Sequence, residues 1–191
     1  MTGRRVGAPP TFMASVEGTV SEAALMIVLR LVHIISGALW VGAVLFLAIY
    51  IVPIVRASGA DGSRLLQGME QRRFPLYMGA LPGLAVLSGI GLYQRALSVS
   101  HDTFGRSHMG MALGLGGGLA LIALIIGGAV AGRSAGALTK LDTQIQAAGG
   151  VPSAAQTQEI LRLQAKLATG SKTVAVLVLI TTALMAAARY L

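Results

Sequence analysis

Residues 31–55 read LVHIISGALWVGAVLFLAIYIVPIV, an apolar run that holds one histidine and no Asp, Glu, Lys or Arg. About 20 such residues are what an α-helix needs to cross the ~30 Å hydrocarbon core of a bilayer. In lipid a helix satisfies its own backbone polar groups, which is why it can span. Further runs of this kind follow at Phe74 to Tyr93, Met109 to Gly132 and Thr173 to Ala188. Composition agrees: the mean hydropathy is +0.74, and 12% of the 191 residues are charged, against roughly a quarter in soluble domains. The sequence therefore predicts an all-α integral membrane protein, a four-helix bundle in which residues 22–191 form a single four-span domain.

Residues 1–21 contain Arg4-Arg5 and Pro9-Pro10 but no apolar stretch, and read as a disordered segment, with Met13 a candidate start. Arg4-Arg5 is not followed by the short apolar region and cleavage site of a secretion signal. The stretch from Ala23 to Val55, interrupted only by Arg30, instead reads as a retained helix that begins in the outer interface.

The 15 basic residues set an orientation. Nine lie in the first and third loops and their flanks: Arg56, Arg64, Arg72, Arg73, Arg133, Lys140, Arg162, Lys166 and Lys172. Arg4, Arg5, Arg30, Arg95, Arg106 and Arg189 fall on the other side. Basic residues in short loops favour the cytoplasm, so both termini are predicted outside, in a multi-pass protein of the cell's inner (plasma) membrane. The net charge of +8 then has the bilayer's anionic lipid headgroups as its partner. Nucleic acid is excluded, because no basic patch sits on a soluble face. The absence of cysteine excludes disulfides, thiolate metal sites and cysteine nucleophiles.

Gly110, Gly114 and Gly118 recur at four-residue spacing in the third run, and Gly79 and Gly83 flank Pro82 in the second. Small residues so spaced let helices approach closely in lipid, within the bundle or towards a membrane-protein partner or a second copy. Pro82 removes a backbone donor and is expected to kink the second helix. In the third loop, Leu138, Leu141 and Ile145 precede Ala148-Gly149-Gly150-Val151-Pro152, and Ile160, Leu163 and Leu167 follow it. With Ser153 as N-cap, residues 133–171 read as a cytoplasmic helical hairpin extending the third and fourth spans.

The candidate chemistry lies in two histidines. Arg30, His33, Gly37 and Trp40, with Met26, share one helical stripe at three- and four-residue spacing. His108 follows Arg106 by two residues where the third span begins, so His33 and His108 are placed at similar depth near the outer face. An imidazole ligand, a small residue, an aromatic wall and a cation at the interface suit a flat anionic macrocycle such as haem b, with His33 and His108 as metal ligands. His108 and Gly110 are about 200° apart around an ideal helix, so they serve different contacts unless that first turn is unwound. His33, His101, His108 and Met109 alternatively offer imidazole and thioether to copper. A structural or accessory subunit with no cofactor is the third reading. The spans hold no carboxylate, so no catalytic acid or base is assigned and enzymatic activity stays open.

His33 with Trp40, Val41-Gly42 and Pro53, then Met69-Glu70-Gln71-Arg72-Arg73 ahead of a span with Pro and Gly, and His108 opening the third span, together resemble the bacterial membrane protoporphyrinogen oxidase family and the related copper-resistance D family. The likeness covers residues 26 to 120 loosely. It implies a b-type haem or porphyrin held by His33, with His108 as second ligand and Arg30 and Trp40 in the pocket, or else copper handling. The oxidase family is expected to carry a lysine two residues after the third-span histidine, where this chain has Gly110. That departure touches catalytic activity more than haem binding, and the long third loop is a second departure.

Overall fold

The computed structural model describes residues 10–58, 60–101 and 103–191, and every regular element among them is helical. Helix α1 (Pro10–Phe46) passes through a π-helical segment, Leu47–Ile51, into α2 (Val52–Ala57). There follow α3 (Ala60–Gln71), α4 (Phe74–Val99) and the short α5 (Thr103–Arg106). Helix α6 (His108–Ile126) continues through a second π-helical segment, Gly127–Gly132, into α7 (Arg133–Ala147). Helix α8 (Ala154–Ala187) follows, and a single 3-10 turn, Ala188–Tyr190, comes after it.

Four segments are long and apolar enough to cross a membrane: Ser21–Ala57, Phe74–Val99, His108–Ala147 and Ala154–Tyr190. Their outer surfaces agree with that reading. Leu87 is 69% exposed, and Leu31, Ile34, Ile35, Leu39, Leu115 and Ile125 are likewise exposed, more large apolar surface than water-soluble monomers present.

Packing joins α1 chiefly to α4 and α6 chiefly to α8, with smaller contacts between α4 and α6 and between α1 and α8. The first and third spans are thereby diagonal to one another. Trp40, Val44 and Ala48 of the first span meet Ala120 and Ala123 of α6 and Val174, Ala175 and Val178 of α8 in the core. Four of these eight are alanines, so the helices approach closely and hold by dispersion, since lipid supplies no hydrophobic drive.

At the α7 end a second cluster unites Val52, Leu138, Leu163, Leu167 and Ala168, with Leu66, Leu141 and Ile160 packed on it. Gln67 donates to an Asp142 carboxylate oxygen at 2.7 Å, fastening α3 to α7. The turn from α7 to α8 uses Gly149 at φ +106° and Gly150 at φ +80°, a region that side-chain-bearing residues rarely occupy. Ser153 then caps α8: its hydroxyl accepts from the Gln156 N–H while the Gln156 side chain accepts from the Ser153 N–H, the reciprocal arrangement that satisfies two orphan donors.

Two differences from the sequence reading stand out. The segment read as disordered, residues 1–21, is helical from Pro10 onward, and residues 1–9 lie outside the described residues. Proline suits the first helical position, where its missing N–H is no loss, and adding residues to a helix already nucleated costs little. The loop between the first two spans is also largely helical, as α3. Pro82 is buried within α4.

Candidate functional site

The imidazole of His33 lies across α4 rather than towards the third span. Its Nδ1 is 2.7 Å from the Ala85 carbonyl oxygen, and a Cβ added at Gly89, one turn further along α4, would meet its Cε1 at 2.8 Å. Glycine at 89 therefore provides the space that the ring occupies. A carbonyl only accepts, so Nδ1 must carry the proton, and in the neutral ring Nε2 is left with its lone pair. Fixing one ring nitrogen on a backbone carbonyl to orient the other is the arrangement metal-ligating histidines adopt.

The rest of the stripe divides by depth. Arg30 is exposed. Gly37, half-buried, has nothing within 4 Å of where a Cβ would stand, so open space adjoins the helix one turn from His33. Trp40 is 5% exposed and belongs to the core, packed with Val44 and its neighbours. At the same end, Arg95 and Glu22 pair at 2.6 Å, tying the start of the first span to the end of the second. Being solvent-exposed on both sides, that pair contributes only ~0–1 kcal/mol.

His108 is placed elsewhere. It is the first residue of α6, behind Ser107, whose hydroxyl accepts from the Gly110 N–H at 3.0 Å. Its side chain is exposed, and α6 lies diagonal to α1, so the structure does not draw His33 and His108 into one cluster. Gly110 instead packs on the Phe104 backbone of α5, which separates its role from that of His108, as the facing angle predicts. His101 sits exposed at φ +48°, and its neighbour Asp102 lies outside the described residues. Among the described residues no group of three or more His, Cys, Asp or Glu side chains is placed to hold a metal ion.

Among the described residues His33 is one of three polar side chains that bond to a neighbouring span's backbone beside a glycine. The Tyr93 hydroxyl of α4 donates to the Gly110 carbonyl of α6 at 3.2 Å, and a Cβ at Gly114 would stand 3.1 Å from that hydroxyl. Thr181 of α8 donates to the Gly116 carbonyl at 3.3 Å. Consecutive spans are thus linked one to two, two to three and three to four. Each such bond in lipid is worth ~0.6 kcal/mol on average and up to ~1.7. Ser36, Ser88 and Thr182 bond to carbonyls of their own helices, which removes the cost of a bare hydroxyl in hydrocarbon.

Sequence reasoning missed Ala85, Gly89, Tyr93 and Thr181. The available signal was the four-residue spacing of Ala85 and Gly89, the same small-residue pattern recognised at Gly110 and Gly114.

Comparison of the chain with protein-family profiles, curated proteins and solved structures finds no match in any of the three. The structure defines the class: an all-helical protein whose four long apolar helices are compatible with integration into a membrane. Any narrower reading rests on the residues themselves.

Proposed function

We propose that the chain is a four-helix membrane bundle that holds a b-type haem or porphyrin near its outer face on His33. The observation that carries this reading is the bond from His33 Nδ1 to the Ala85 carbonyl, which aims the ring and leaves Nε2 as a donor atom. The remaining residues fit such a group. Gly37 leaves room beside the helix, Arg30 supplies an exposed cation one turn outward for a propionate, and Trp40 forms the floor from within the core. Bound haem would supply one-electron redox chemistry; the protein's part is to set its ligand, its surroundings and its access to water. His33 is the primary ligand, and His108, exposed on a diagonal helix, is a ligand only if the haem reaches across to it.

In this reading both termini lie outside the plasma membrane, and α7 with the first half of α8 forms a cytoplasmic hairpin. Support comes from the nine basic residues of the first and third loops. The paired burial of Leu138, Ile145, Leu163 and Leu167 supports the hairpin. The segment from α6 through α7 is 40 residues long; at 1.5 Å per residue that is ~60 Å, twice the hydrocarbon thickness.

A second reading, a cofactor-free structural or accessory subunit, is favoured by a separate observation. Gly79, Gly83, Gly117 and Gly118 have nothing within 4 Å of an added Cβ, leaving close-approach faces for another membrane helix, and the His33 bond then serves only to join two spans. Copper handling has no corresponding geometric support. A dithionite-reduced minus oxidised spectrum of the detergent-purified protein, with metal analysis, separates the three. Haem gives a Soret and α-band shift, copper gives metal without those bands, and an assembly subunit gives neither.

A further inference from the structure

At the α7 end, between the first span and α8, a cavity of about 470 Å³ is lined by Ala48, Val52, Pro53, Arg56, Ala57, Ala168 and Lys172. A second of about 300 Å³ adjoins it through Lys172 and runs along Thr173, Val176 and Leu177. Ala48, Ala57 and Ala168 are among the residues that line the first volume, and it falls within the ~300–1,000 Å³ of small-molecule sites.

Charge in this cleft is one-sided. Among the described residues Arg56 and Lys172 line it and no carboxylate does. Neither cation belongs to the ion pairs that join Arg95 to Glu22 and Arg162 to Glu159. Polarity is also ordered along the helix axes. From Arg56, the first span leads back through Val52 to Ala48 in the apolar core; from Lys172, α8 leads on through Val176, exposed, and Leu177. Two cations thus stand at one end of a groove whose other end is apolar, the inverse of what a soluble anion needs and the pattern of an amphiphile's site. Basic pockets between membrane helices at a cytoplasmic face recognise anionic headgroups.

We infer that this cleft is a binding site for one anionic phospholipid, its phosphodiester between Arg56 and Lys172 and an acyl chain laid along Thr173, Val176 and Leu177. The inference rests on the chain residing in a bilayer and is independent of whether His33 holds haem. Only the lipid already in the membrane supplies both halves of the ligand, which selects a phospholipid over free phosphate.

The test uses the full chain in micelles, read by native mass spectrometry after exposure to equal amounts of phosphatidylglycerol and phosphatidylcholine. Wild type retains phosphatidylglycerol preferentially. The double variant Arg56→Gln/Lys172→Gln loses about thirty-fold in that preference, about five-fold for each cation. A charge-matched double, Arg133→Gln/Lys140→Gln, keeps it. Equal losses in the two doubles would overturn the site in favour of diffuse surface attraction. So would an absent preference in wild type, or competition by inorganic phosphate at equal concentration. Recovery of every variant from the membrane fraction separates failure of the site from failure of membrane integration.

Discussion

Replacing Gly89 by alanine places a methyl carbon 2.8 Å from Cε1 and 3.0 Å from Nδ1 of His33, nearer than carbon atoms approach without displacement. The imidazole must swing away and release the Ala85 carbonyl, to which Nδ1 is held at 2.7 Å. Losing that interhelical bond costs ~0.6–1.7 kcal/mol, and forcing the ring off its rotamer costs ~0.5–1.5 kcal/mol. Against this, alanine in a helix interior gains ~0.5–1 kcal/mol over glycine. Gly79→Ala, in the same helix with nothing within 4 Å, has that gain without the clash. The two substitutions should therefore differ by about 1–3 kcal/mol, with Gly89→Ala the less stable. Equilibrium unfolding of the micellar protein by added dodecyl sulfate measures it, followed through Trp40, the sole tryptophan and a core residue. In a His33→Ala background the difference should vanish, as a double-mutant cycle requires when the two sites act through one contact. Equal stabilities of the two alanine variants in the His33 protein would refute the placement of the ring against α4.

Tyr93→Phe should cost ~0.6–1.7 kcal/mol in the same assay through loss of the bond to the Gly110 carbonyl, whereas Tyr77→Phe, exposed on α4, should leave stability unchanged. Leu167→Ala removes a buried side chain from the cluster joining α7 and α8 and should cost ~2–5 kcal/mol, read as earlier proteolysis between residues 133 and 171. For orientation, Val151→Cys in this cysteine-free chain places a thiol at an 83%-exposed position of the α7–α8 turn. In intact cells it should resist a membrane-impermeant maleimide, and ready labelling would put the termini in the cytoplasm.

The four spans were legible because each is continuously apolar for the thickness of a bilayer. The pairing of α7 with the first half of α8 was legible because burial on one face imposes a period: Leu138, Ile145, Leu163 and Leu167, picked out by spacing alone, are all buried. What a helix faces is harder to read, since the partner's identity is not in its own periodicity. His33 and Trp40 do share a stripe, yet His33 meets Ala85 and Gly89 of the second span while Trp40 sits deeper, in a core cluster to which all four spans contribute. The glycine series divides in the same way: Gly110 and Gly114 abut α5 and Tyr93, and Gly118 meets nothing within 4 Å. Helix α3 was missed because its apolar positions are few, and what it packs on, Leu66 against the α7–α8 cluster and Gln67 on Asp142, lies far away in sequence. The two π-helical segments follow from no pattern of apolar residues, though Pro53 stands two residues past the first and the Gly127-Gly128 pair opens the second.

The central claim, that His33 presents Nε2 to a haem or porphyrin, is tested most directly by the Soret absorbance per mole of purified protein in wild type, His33→Ala, His108→Ala and His101→Ala, each expressed with added haem precursor. The account predicts a band in wild type and His101→Ala, its loss in His33→Ala, and at most a displacement in His108→Ala. A wild-type protein without a Soret band, or a band that persists undiminished in His33→Ala, would contradict it.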